Sequence, residues 1–191
     1  MRLIILLLSL CLSLPAMADW QVKPDTSNVS FISIKKEHIV ENHTFKSFDG
    51  SLSKKGNLSL MIDLTSVDTN IGLRDDRIQE FLFETSIYPK ATFNADIVLN
   101  ELTKLAVGDS IELTVDGEIN LHGTKKLASV SVLVSKLTND KILVASTQAL
   151  LIHAKDFDLV SGILKLKQLA GLSSIGQTVP VNFVLMFEQT K

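Results

Sequence analysis

Cysteine is nearly missing from this chain: the one it has, Cys11, lies in the leading apolar stretch. The rest therefore has neither a disulfide framework nor thiol chemistry, and its stability must come from its own core. Lys and Arg number 19 against 21 Asp and Glu, with no basic stripe. Nucleic acid is therefore not expected as a partner. No later apolar run approaches the ~20 residues that span a bilayer, so an integral membrane protein is not expected. The sequence also contains no Gly-x-Ser-x-Gly and no His-Glu-x-x-His. Its carboxylates alternate outward along apparent strands, where solubility explains them. Nothing here warrants an enzyme, which would need an activated nucleophile or two carboxylates with separated pKa values.

The first residues read as a leader. Met1-Arg2 gives a minimal positive start, residues 3–14 are almost wholly apolar, and Pro15 precedes Ala16-Met17-Ala18, a small-x-small cleavage pattern. Leu10, bulky before Cys11, argues against lipoprotein processing. Residues 1–18 are thus expected to be a cleaved secretory signal, and 19–191 a single exported domain.

That domain is dominated by a period of two, the mark of strands with one buried face. Leu58, Leu60, Ile62 and Leu64 alternate with polar or exposed positions, as do Ala91, Phe93, Ala95, Ile97 and Leu99. The clearest run is Ile111, Leu113, Val115, Gly117, Ile119 and Leu121, against Glu112, Thr114, Asp116, Glu118 and Asn120. Further strands are expected over 29–36, 44–52, 127–134, 142–152 and 179–188. In the first, Val29 and Phe31 face one way while Ile32 and Ile34 face the other. Residues 36–43 and 100–109 read as polar loops.

The period changes twice. Ile78, Phe81 and Leu82 fall at i, i+3 and i+4, which predicts a short amphipathic helix stopped by Tyr88-Pro89. Ile163, Leu166, Leu169 and Ala170 predict another, ending near Gly171. The expected fold is all-β: an eight-stranded antiparallel lipocalin-like barrel with two short helical excursions. Eight strands either fill with side chains or leave room for one ligand. Small inward residues at Ala91, Ala95 and Gly117 lean toward a cavity, and periodicity alone leaves a filled core open.

Several segments resemble the YceI family. They are Ser66-Val67-Asp68-Thr69, Arg74-Asp75-Asp76-Arg77, Phe81 to Phe83, and Tyr88-Pro89-Lys90-Ala91-Thr92-Phe93, followed by GEINLHG at 117–123 and Asp156-Phe157. The resemblance implies a barrel exported to the bacterial periplasm, with an internal apolar tunnel for a polyisoprenoid, an isoprenoid quinone or a fatty-acid-like lipid. The chain departs from the family pattern at Thr124-Lys125-Lys126, at Ala154, where arginine is common, and at Asp158, where glycine is usual.

On this reading the ligand-binding residues are Phe31, Leu60, Ile62, Arg74, Ile78, Phe81, Phe93, Leu113, Val115, Ile119, Val181 and Phe183. The partner is a long-chain lipid or isoprenoid, and a homodimer is left open. No cofactor and no metal is expected. His38 and His43, with Glu37 and Glu41, match no metal motif. Arg74 is divided evenly between a ligand head group at the mouth, which a guanidinium suits, and local pairing with Asp75, Asp76 or Glu80. The 71–85 segment is expected to press Ile78, Phe81 and Leu82 against the barrel and shape its mouth. The alternatives are an enzyme acting on a lipid or quinone with His122 or Arg74 assisting, and a filled barrel serving as an interaction module.

Overall fold

The computed structural model describes residues 20–190, so the leader expected over 1–18 lies outside the described residues. The β segments in chain order are β1 (Trp20–Val22), β2 (Asn28–Lys35), β3 (Ile39–Phe45), β4 (Phe48–Leu52), β5 (Asn57–Asp63) and β6 (Val67–Asp68). They continue with β7 (Lys90–Asp96), β8 (Ser110–Leu121), β9 (Thr124–Lys136), β10 (Lys141–Ser146), β11 (Leu150–His153) and β12 (Thr178–Gln189). Among the described residues three α-helices accompany them: α1 (Gly72–Phe81), α2 (Asn100–Lys104) and α3 (Val160–Leu169).

All strand pairings are antiparallel, and they close into an eight-stranded barrel. The extra segments arise because four strands are bent: β1 with β2, β3 with β4, β5 with β6, and β10 with β11. Closure is made by β12. It pairs with β1 at Trp20↔Gln189 and with β2 at Phe31↔Val181, while β1 pairs onward to β4 at Trp20↔Leu52.

Alternation decides what each strand turns inward. The ambiguity of β2 resolves with Val29 and Phe31 facing the interior. Ile34 lies on a face covered by the crossing segment at Gly176, whose amide donates to the Ile34 carbonyl at 2.7 Å. An apolar residue can therefore sit on either face of this strand. Two expected loops prove partly regular. His43, placed by sequence in a polar break, stands on β3. Residues 100–104 form α2, a helix beyond the two expected, and Leu102 on it contributes to the interior.

Glycines on inward faces hold space for neighbours. A Cβ on Gly117 would stand 2.5 Å from the Phe93 ring, and one on Gly50 would stand 2.4 Å from Leu60. The small residue at 117 thus adds no void of its own; the Phe93 ring occupies it.

Candidate lipid-binding cavity

The interior of the barrel is hollow. About 270 Å³ of it is open to the centres of water-sized atoms, some twenty times the ~10–15 Å³ that admits one water. The lining is apolar apart from Asp49 and Thr92. Its walls come from inward residues of almost every strand, such as Leu60, Phe93, Val115, Val132, Val144 and Val181. Leu82, Phe83, Leu159 and Ile163 roof one end from α1 and α3 and the turns beside them, and Leu102 of α2 reaches in at the other. A cavity this apolar offers water little to hold and suits a hydrocarbon chain.

Of the expected site residues, Phe31, Leu60, Ile62, Phe93, Leu113, Val115, Ile119, Val181 and Phe183 all line this cavity. Arg74, Ile78 and Phe81 do not. Ile78 is buried at 7 % exposure beneath α1 as core. Phe81 is half-buried and turns toward α3, where Lys165 Nζ sits 5.7 Å from its ring centroid. The helix ends at Phe81, and Glu84 takes a left-handed φ of 47°. Phe83, whose amide still donates to the Ile78 carbonyl at 2.9 Å, lines the cavity, and Phe81 does not. The apolar period counts Phe81 inward, but on the last residue of α1 it faces the neighbouring helix α3, which the period does not foresee.

Arg74 is consumed locally. Its Nε donates to Thr69 Oγ1 at 2.7 Å, its Nη2 to the Thr69 carbonyl at 2.6 Å, and its Nη1 to Glu41 Oε2 at 3.0 Å. Lys35 Nζ reaches the same Glu41 oxygen at 2.7 Å. Asp75 in turn accepts from the amide and hydroxyl of buried Thr69. The motif residues of 66–77 thus lock the start of α1 to β3 and β6. Hydrogen bonding to Lys35, followed by Arg74, holds the Glu41 carboxyl below its ordinary range.

His43, weighed from sequence only as a metal ligand, has surroundings that form only in the fold. It is 4 % exposed, and its Nε2 lies 2.8 Å from Ser33 Oγ. Burial first, and the Arg74 charge second, push its pKa down, so the ring stays neutral. Its Nδ1 is buried without a hydrogen-bond partner.

A second, shallower cleft lies outside the barrel between α1, α3 and the β8–β9 turn. There His122 Nε2 meets Glu84 Oε2 at 2.8 Å, and the Tyr88 ring lies 4.5 Å from the imidazole. His122 does not line the apolar cavity. Asp158 borders this cleft with φ 55°, a left-handed turn that accounts for glycine being usual there; aspartate tolerates it. Ala154, in place of the common arginine, is buried against the cavity and extends its apolar wall.

Among the described residues no group of three His, Cys, Asp or Glu side chains is arranged to hold a metal ion. No helix among them is long and apolar enough to cross a membrane.

A family model described as a YceI-like domain matches residues 20–187. A polyisoprenoid binding domain from Saccharophagus degradans, implicated in plant cell wall breakdown, superposes with a TM-score of 0.89 at 36% identity. The match covers 91% of this chain and 100% of that one. BcnA of Burkholderia cenocepacia shares 21% identity over 86% of this chain and 98% of its own, with a TM-score of 0.68. A Campylobacter jejuni YCEI protein shares the fold at 16% identity and a TM-score of 0.57, over 78% of this chain and 84% of its own. No curated protein matches the chain.

Proposed function

The chain belongs to the YceI-like family, and on that premise we propose that it is a binding protein that sequesters or carries a long-chain lipid in its barrel, an isoprenoid above all. The observation that carries this reading is the cavity: apolar and walled by inward residues of almost every strand. Each buried methylene contributes ~0.8 kcal/mol, so a tail of about ten carbons supplies ample gross affinity with no polar contact. The similarity to a polyisoprenoid binding domain supports the chain type. The leader-like residues 1–18 support export to the periplasm, where a water-insoluble chain needs such a carrier.

An enzyme acting on the same lipid is the weaker reading. His122 does have a carboxylate partner, but the pair lies in the outer cleft and not against the cavity where a bound chain would sit.

The test is native mass spectrometry of the purified protein, before and after organic extraction. Loss of a long-chain species on extraction, and its recovery on adding a prenyl or acyl probe, is the expected result. A protein that carries no lipid and takes up neither probe would overturn the proposal.

A further inference from the structure

The apolar lining ends between two directly paired residues. Phe31 of β2 lines the cavity, and its cross-strand partner, His43 of β3, does not. Their ring centroids are 5.1 Å apart. The next pair on that face is Ser33 with Glu41, so the strands pass from a hydrocarbon wall to a polar patch within one step. In that patch one atom is left over: His43 Nδ1, buried and unpartnered. A buried polar atom without a partner is costly, and in a binding protein its missing partner is reasonably sought in the ligand.

The charges around it select the kind of ligand. Arg74 and Lys35 both engage Glu41, and Arg74 also donates from Nε and Nη2 to Thr69. Asp75 is taken up by Thr69. Both cations here already hold a carboxylate, so a phosphate would have to compete with Glu41 for them. The Ser33 hydroxyl can donate to Nε2 or accept from it, so Nδ1 can in turn be donor or acceptor. This pairing meets a neutral oxygen of either kind. Resting on the lipid-binding reading above, we propose that His43, set by Ser33, is the head-group contact of the cavity. It selects an uncharged oxygen head, hydroxyl or carbonyl, over a diphosphate, at the edge of the cavity marked by the Phe31 ring 5.1 Å away.

The test compares geranylgeraniol, the hydrocarbon of the same skeleton and geranylgeranyl diphosphate on delipidated protein. The wild type should bind the alcohol about five- to tenfold more tightly than the hydrocarbon, the worth of one hydrogen bond, and the diphosphate no more tightly than the alcohol. His43→Leu should keep hydrocarbon binding and lose the preference. In unmutated protein, the nitrogen chemical shift of His43 Nδ1 should move with the alcohol and not with the hydrocarbon, a readout that does not depend on the variant folding. The head-group proposal falls on any of three results: equal preference in both proteins, an Nδ1 shift unmoved while the alcohol binds, or a diphosphate that binds best. If the hydrocarbon itself does not bind, the lipid reading falls with it.

Discussion

Gly162 of α3 lies against the end of α1 so closely that a Cβ on it would stand 2.4 Å from the Phe81 carbonyl oxygen and 2.8 Å from Leu82 Cα. Both atoms are backbone and cannot rotate away. The roof of the cavity therefore depends on a helix contact that only glycine allows. Alanine is the better helix former by ~1 kcal/mol, yet forcing the helices apart costs ~1–3 kcal/mol. Gly162→Ala is expected to lower the urea midpoint slightly and Gly162→Val to lower it clearly. A raised midpoint for the alanine variant would show that the helices separate freely.

Phe83 and Phe81 provide a matched pair. Phe83 is 8 % exposed and faces the cavity, so Phe83→Ala should cost several kcal/mol, toward the ~3–5 typical of buried aromatics. The half-buried Phe81, whose ring meets Lys165, should cost ~1 kcal/mol or less on the same change. Denaturant melts of lipid-free protein decide the order, and the reverse order would place Phe81 in the core.

How far the site could be read from sequence follows from these two residues. The strands were legible because one face of a barrel is apolar along its whole length, and nine of the expected contacts line the cavity as a result. Chain reversal after α1 was not legible, since the left-handed φ of Glu84 leaves no mark in composition. Nor was the setting of His43: its partner Ser33 and its neighbour Arg74 lie on other elements, and only the hairpin and helix bring them together.

Acid should weaken the fold from near neutrality downward. Burial holds His43 below the ordinary histidine range, and Lys35 with Arg74 holds Glu41 below the glutamate range. In both cases the unfolded chain takes up its proton first. The stability these groups contribute is therefore complete above their ordinary values and is lost as pH falls through the depressed ones. The urea midpoint should fall between about pH 7.5 and about pH 5.5, the histidine window, and further in the glutamate range. His43→Leu should flatten the first part only. An unmutated protein with no slope there would show that His43 is not held neutral.

Filling the cavity should block long chains while leaving the fold. Val115 lines the middle of β8 and is half-buried, so Val115→Trp places an indole in the tail's path. Uptake of a long prenyl probe is expected to weaken about tenfold or more, as the displaced methylenes are worth ~0.8 kcal/mol each. Fluorescence competition measures this, with circular dichroism confirming the barrel. Unchanged uptake would place the chain elsewhere.

The seam at β12 also governs how the protein comes into being. β12 joins β10 and β11 on one side and β1 and β2 on the other, and its partners include residues as distant in the chain as Trp20 with Gln189. Contacts of such sequence separation are bought late, because the loop they close must be ordered first. Until residues 178–189 dock, β2 and β10 each lack a neighbour and the apolar inner wall is bare to water. A nascent or truncated chain is thus an open sheet with two sticky borders, prone to pair with its like, and never a smaller barrel.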